Sequence, residues 1–175
     1  MPDIYTPSWY EEVKEAMNES ASRLSGVPDG SFVVAIEIGG DGMSPYVDIS
    51  GLRRFLIKID QGKCQWYREI ASKEEETELS NGGVNFRFTG PATTFDEIAA
   101  GLLDPIDAAL KGLVKVRGDM RFLMRHSEHV KALLDAYSRN VITLWPQGMP
   151  PYGVSIQPEG RETSSNISTS EITNA

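Results

Sequence analysis

The apolar residues of this chain change period as it runs, and each change marks an element. Trp9, Val13, Met17 and Leu24 share one helical stripe, with Tyr10 and Ala21 on its flank and Glu11, Glu15 and Asn18 opposite. Thr6 suits the cap of that helix and Pro7 its first turn, and Ser25-Gly26 predicts its end. The period then drops to two. Phe32, Val34, Ile36 and Ile38 alternate with smaller or polar residues, and Phe55, Ile57 and Ile59 alternate with Arg54, Leu56 and Lys58. Between these two strands Gly39, Gly40, Asp41 and Gly42 break the pattern, and Tyr46 to Ile49 predicts a short strand. Asp60-Gln61-Gly62 predicts a hairpin turn, because Gly62 is free to adopt the left-handed conformation. The returning strand, Lys63 to Ile70, is expected to place Cys64 and Trp66 on one face. Ser72 to Gly83 is acidic, ends in Asn-Gly-Gly and reads at least in part as a loop. Val84, Phe86 and Phe88 then face one way, and Asn85 and Arg87 the other.

The second half predicts two short helices, a strand and a long helix. Thr94 and Glu97 have the spacing of a capping box, and Gly101 fits the end of that helix. Asp104 caps a second helix with Pro105 in its first turn, and Gly112 ends it. Leu113 to Arg117 reads as a strand with Val114 and Val116 on one face. Asp119 caps a last helix running to about Arg139, whose stripe holds Phe122, Leu123, Val130, Leu133, Leu134 and Tyr137. His126 lies near the centre of that stripe. Pro146, Pro150 and Pro151 make Val141 to Ile156 non-helical, and Trp145 and Tyr152 predict that it packs. From Pro158 onward the chain is Ser, Thr, Asn and Glu with almost nothing to bury, the composition of a disordered tail. The expected organisation is therefore one domain at 1–139, a packed extension at 140–157 and a tail at 158–175.

Composition narrows the function. The 175 residues suffice for one domain with a core of its own. A formal net charge of -8 argues against nucleic acid as a partner, which needs a Lys and Arg surplus, and against strong docking on anionic membranes. Cys64 is the single cysteine, so no internal disulfide and no cysteine-based zinc site is expected. His126 and His129 have ligand spacing, but no third nitrogen or sulfur candidate stands beside them, and neither a metal nor a cofactor is expected. The opening Met-Pro-Asp-Ile-Tyr-Thr-Pro lacks a basic stretch followed by an apolar run, and no segment has the apolar length of a membrane span. No secretory signal and no stable membrane insertion are expected, and the cytoplasm is the expected compartment. Gly39 to Gly42 lacks the Lys and Ser/Thr of a phosphate loop.

Leu103-Asp104-Pro105 opens a short helix. Gly112, Leu113, Val114, Lys115, Val116, Arg117, Gly118, Asp119 and Met120 follow at the spacing of a strand and a tight turn. This run resembles the signature of the sterol carrier protein type two family, and the order of elements resembles that family over roughly Trp9 to Tyr137. The first half does so in pattern only. The resemblance implies an α+β fold: a mainly antiparallel five-stranded sheet covered by helices, with an internal apolar tunnel. It also implies a carrier for an apolar small molecule, such as a fatty acyl chain, a sterol-like or terpenoid ring, or a polyketide. Matched by position, the tunnel lining would be Phe86, Phe88, Ile98, Leu102, Ile106, Leu110, Val116, Leu123, His126 and Val130. The chain ends Ile-Thr-Asn-Ala, unlike family members targeted to peroxisomes, and residues 140–175 have no counterpart in the common domain.

Other readings of the same residues stay open at this level. The lining set equally describes a closed core. His126 is either a satisfied core histidine or a polar contact to a ligand hydroxyl or carboxylate. Arg121 and Arg125, one turn apart, either meet an anionic head group or form a solvated face. An isomerase, cyclase or hydratase acting in the same cavity would use His126 or Glu37 as acid or base, and Asp48 is a further scattered carboxylate. A homodimer through Trp145, Pro146, Met149 and Tyr152 is a third possibility.

Overall fold

The period-two segments assemble into one five-stranded sheet. In the computed structural model, which describes residues 1–139 and 141–153, the strands are β1 (Ser31–Gly39), β2 (Leu52–Asp60), β3 (Lys63–Ile70), β4 (Phe86–Pro91) and β5 (Lys115–Arg117). Their order is β3-β2-β1-β4-β5. The β1–β4 pair is parallel and the other three are antiparallel. The fold is therefore α+β with a mostly antiparallel sheet. Gln61 and Gly62 both adopt positive φ in the two-residue β2–β3 turn, the twist a tight hairpin requires.

Alternation gives the sheet two unlike faces. Phe32, Val34, Ile36 and Ile38 of β1 align with Ile59, Ile57, Phe55 and Arg53 of β2, and Val34 and Ile36 with Phe86 and Phe88 of β4. This inner face is covered by α1 (Pro7–Ala21), α3 (Ala92–Ala99) and α6 (Ser127–Arg139). The outer face buries a smaller patch of Val33, Ala35, Leu56 and Ile70. There Leu79 of α2 (Lys73–Ser80) packs, and Glu76 pairs with Arg87. Two further helices, α4 (Pro105–Leu110) and α5 (Met120–Arg125), flank β5 in the chain.

Thr6 caps α1 and Pro7 begins it, as expected, but the helix ends at Ala21, short of Ser25-Gly26. Asn18 is not simply solvated. Its amide donates to the Cys64 carbonyl and accepts from the Cys64 N–H, at 3.0 and 2.7 Å, and so pairs part of the exposed β3 edge. A register shift between Lys58 and Ile59 separates Cys64 from Trp66: Cys64 and Tyr67 join the inner core while Trp66 packs outside. Tyr46 to Ile49 forms turns instead of a strand. Ser72 caps a helix, α2, which takes up most of the stretch expected to be at least in part a loop and leaves Asn81 to Gly83 outside it, and its side chain accepts from the Glu75 N–H.

The capping box does not form either. Helix α3 begins at Ala92, so Thr94 lies inside it, and Pro91 in the cap position has no side-chain acceptor. Asp41 of the β1–β2 loop takes that role, accepting the Thr93 N–H at 2.9 Å. Asp104 and Asp119 do cap α4 and α5. The expected last helix breaks at His126 (φ -112, ψ 34), which divides α5 from α6. The expected tail at 158–175 lies outside the described residues.

Gly118 turns β5 into α5 at φ +143, and a Cβ there would lie 2.7 Å from the Asn85 carbonyl oxygen and closer still to the Phe86 ring. We expect Gly118→Ala to destabilise the domain by about 2 kcal/mol, combining backbone strain with a clash. Urea unfolding checks this: a midpoint equal to the parent's would show that the turn can relax.

Candidate functional site

The β4 end of the inner face carries an aromatic group of its own. Phe86 and Phe88 point inward from β4, and Val116 of β5 stands opposite Phe88 in register. Helix α5 lays Phe122 over them, with ring centres 4.5 Å from Phe32 and 5.8 Å from Phe86. His126 follows one turn later, its ring centre 4.6 Å from Phe122. Because His126 sits at the α5–α6 break, the covering over this end is two helices that meet beside an imidazole.

Three of the expected lining residues, Phe86, Phe88 and Val116, meet in this region, and His126 joins them through Phe122. Phe86 and Ile98 are buried, while Phe88, Val116, Leu123, His126 and Val130 are half-buried. Leu102, Ile106 and Leu110 are exposed, Leu110 to 80%. Phe32 and Phe122 belong to the group but were not among the lining residues read from sequence. Phe122 heads the stripe that contains His126, and that spacing was its signal.

His129 is buried in the first turn of α6, against the Gly62 turn. Burial and the neighbouring His126 charge hold its pKa below the usual imidazole value, against the pull of the Gly62 backbone. Glu37 lies on the outer face, 2.7 Å from Arg87, so it cannot share a cavity with His126. Asp48 is exposed. Among the described residues no group of acids, cysteines and histidines could hold a metal ion.

A second feature joins the extension to α3. Asp96 is 0% exposed and accepts from the Tyr5 hydroxyl at 2.6 Å and the Tyr152 hydroxyl at 2.8 Å. Ser44 hydrogen-bonds it as well. Burial raises the Asp96 pKa above the usual carboxylate value, and these three hydroxyls only partly offset that. Trp9 Nε1 donates to Thr143, and across a bridge between residues 3 and 144 the Ile4 N–H donates to the Leu144 carbonyl and the Leu144 N–H to the Pro2 carbonyl. Trp145 and Tyr152 are thus engaged within the chain, Trp145 against Tyr46. Between the extension and the ends of α3 and α6 lies a cleft of about 330 Å³ lined by Ala99, Ala100, Gly101, Ser138, Val141, Thr143, Trp145 and Met149. A groove of about 530 Å³ on the other face runs along Lys58 and Ser80 to Asn85. None of the ten expected lining residues borders either.

Comparison with known proteins decides the family. Residues 33–131, from β1 into α6, match the SCP-2 sterol transfer family. The chain belongs to that family. Its fold is shared with a solved structure of sterol carrier protein 2, at a TM-score of 0.60 and 16% identity over 78% of this chain and 98% of the other. A second solved structure, a conserved hypothetical protein, possibly sterol carrier protein, from Thermus thermophilus, gives 0.56 and 18% over 83% and 94%. No curated protein matches. Most of the cleft under the extension, from Ser138 onward, lies beyond the stretch matched to the SCP-2 family. No helix among the described residues is long and apolar enough to cross a membrane.

Asp96 sets a pH dependence. Its folded pKa is raised, so between the unfolded value near 4 and the folded value the native state holds more protons than the unfolded chain. Stability from this site is therefore full at low pH and falls as pH rises through that window. We expect Asp96→Asn to gain stability relative to the parent as pH rises from about 4. Urea midpoints measured side by side across the acid range check the sign. A difference constant with pH would mean that Asp96 titrates alike in both states.

Proposed function

We propose that this member of the SCP-2 family is a soluble cytoplasmic carrier for an apolar small molecule. The ligand lies between the β4 end of the inner sheet face and α5 and α6. The observation that carries the reading is the family match over residues 33–131, which spans the sheet, Phe86, Phe88, Phe122 and His126. The sterol carrier protein 2 structure supports it at the level of the fold.

The physics of such a site favours closure when it is empty. A permanent void of about 300 Å³ would cost about 7 kcal/mol at 24 cal/mol per Å³, comparable to the whole stability of a domain. The aromatic group fills the space instead, and ligand entry displaces it. The α5–α6 break at His126 gives the covering a place to move. Each Å² of apolar ligand surface buried returns about 25 cal/mol. Phe86, Phe88, Ile98, Val116, Leu123 and Val130 supply the apolar walls, His126 the polar contact, and Leu102, Ile106 and Leu110 the rim.

Native mass spectrometry of the purified chain, followed by extraction of anything released, tests the carrier reading directly. A stoichiometric apolar companion is the expected result. An empty protein that also fails to bind an apolar fluorescent probe would count against it. We expect His126→Leu to fold and to bind purely hydrocarbon probes as the parent does, while losing about five- to tenfold on ligands bearing a hydroxyl or carboxylate, the equivalent of one hydrogen bond. Unchanged affinity for every ligand would remove His126 from the site.

A further inference from the structure

The chain is acidic overall, but its charge is unevenly placed. Five of its seventeen Lys and Arg residues, Lys111, Lys115, Arg117, Arg121 and Arg125, fall in one short run that contains a single acid, Asp119. The rest of the chain carries twice as many acids as bases. The run covers the end of α4, strand β5 and helix α5, along one edge of the sheet. All five cations are exposed, and among the described residues none of them forms an ion pair. Asp119 spends its carboxylate on the Arg121 and Phe122 N–H groups.

Large apolar side chains are exposed in this run and just ahead of it, where Asp104 and Asp107 bring the acids between Leu102 and Arg125 to three against five cations. Leu110 and Met124 are 80% and 74% exposed, and Leu102, Ile106, Leu113 and Met120 each exceed 40%. Leu102, Ile106, Leu110 and Leu113 recur at spacings of four, four and three. Single exposed apolar residues are ordinary, but a run of them interleaved with unpaired cations is not. Protection of the sheet edge explains charges on β5, where Lys115 and Arg117 discourage strand pairing. It does not explain Lys111, Arg121 and Arg125, which lie off the strand, nor the apolar side chains, which would work against it.

We infer that the β5 edge, from Leu102 to Arg125, is a docking surface for anionic lipid bilayers. Lys and Arg supply attraction to anionic head groups, and Leu and Met side chains insert at the boundary with the acyl region. A purely acidic protein partner would use the cations and leave Leu110 and Met124 unsatisfied, so a bilayer fits the mixture better. The negative remainder of the molecule is repelled by the same surface, which orients the chain with this edge inward. This proposal stands on exposure and charge and does not depend on the carrier reading.

Vesicle co-sedimentation of the full chain tests it, with phosphatidylcholine vesicles alone and with phosphatidylserine added. Binding is expected only with phosphatidylserine and is expected to weaken as salt rises. Lys111→Gln and Arg125→Gln should each lower partitioning about fivefold. Met124→Ser should lower it while leaving the salt dependence unchanged. Lys63→Gln, on the opposite edge strand, should leave it as it was. All four residues are exposed, so equal urea midpoints confirm that the variants are folded. No binding to phosphatidylserine vesicles at low salt overturns the proposal and leaves the edge to an acidic protein. A loss from Lys63→Gln as large as from Arg125→Gln also overturns it, because attraction would then be non-local.

Discussion

A carboxylate sealed from water must keep its hydrogen-bond donors, and Asp96 ties distant parts of this chain together on that account. An ionised or half-ionised group at full burial is costly unless donors surround it. Its donors come from three distant places: Tyr5 ahead of α1, Ser44 in the β1–β2 loop, and Tyr152 in the extension. Losing any one would leave the carboxylate short, so the N-terminal segment, the loop and the extension are held to α3 by a shared need. Tyr5 illustrates how firmly. It adopts φ 60, a region a bulky side chain avoids, while its carbonyl accepts from Tyr10 and Arg53 and its hydroxyl reaches Asp96.

This hub sits beside a division of labour along the inner face. Toward β2 and β3 the covering is a tight aromatic set: Tyr5, Trp9, Tyr10, Phe55, Tyr67 and Tyr137 meet at ring separations of 5.1 to 6.3 Å. Toward β4 and β5 the covering thins to Phe122 and His126 on a broken helix. Dense aromatic packing and a covering interrupted by a helix break are thus placed at opposite ends of one sheet. The parallel β1–β4 pair joins them, since it sets Phe86 and Phe88 in register with Val34 and Ile36. A ligand that displaced the β4 end would leave the β2–β3 end packed.

The alternating strands, the Asp60–Gly62 hairpin and the two aspartate caps at Asp104 and Asp119 were legible in the sequence, because each is a local rule acting on neighbouring residues. What escaped was set by distant contacts. Thr94 and Glu97 have capping spacing, but Asp41 reaches in from another loop and starts α3 earlier. The register shift at Lys58 and Ile59, which separates Cys64 from Trp66, has no signature in the pattern of either strand. Helix α2 was hidden by its acidity, since Leu79 is the one large apolar side chain it packs on the outer patch. Asp96 left a fainter trace: it shares a helical face with Ala92 and Ala99, four residues after one and three before the other, and an acid on an apolar face asks for donors. Within the expected site, Phe86 and Phe88 follow from strand parity. Leu102, Ile106 and Leu110 were assigned inward by family position, and the structure sets them outward.

That outward placement changes how net charge should be used. A total of -8 speaks for repulsion from an anionic surface, but salt screens that repulsion beyond about 10 Å. At contact, only charges within about 10 Å of the surface act strongly, and along the β5 edge five cations outnumber three acids. The two effects select an orientation instead of cancelling. The chosen edge leads directly into Phe122 and the break at His126. A site whose empty volume is too costly to maintain needs somewhere to open where an apolar molecule is already at hand. Opening against a bilayer, as proposed, would expose Phe122, Phe86 and Phe88 to acyl chains, not to water, and so remove most of the hydrophobic cost of the open state. On the carrier and docking readings proposed above, the thin covering, the helix break and the exposed apolar edge serve one requirement: exchange of apolar cargo without passage through water.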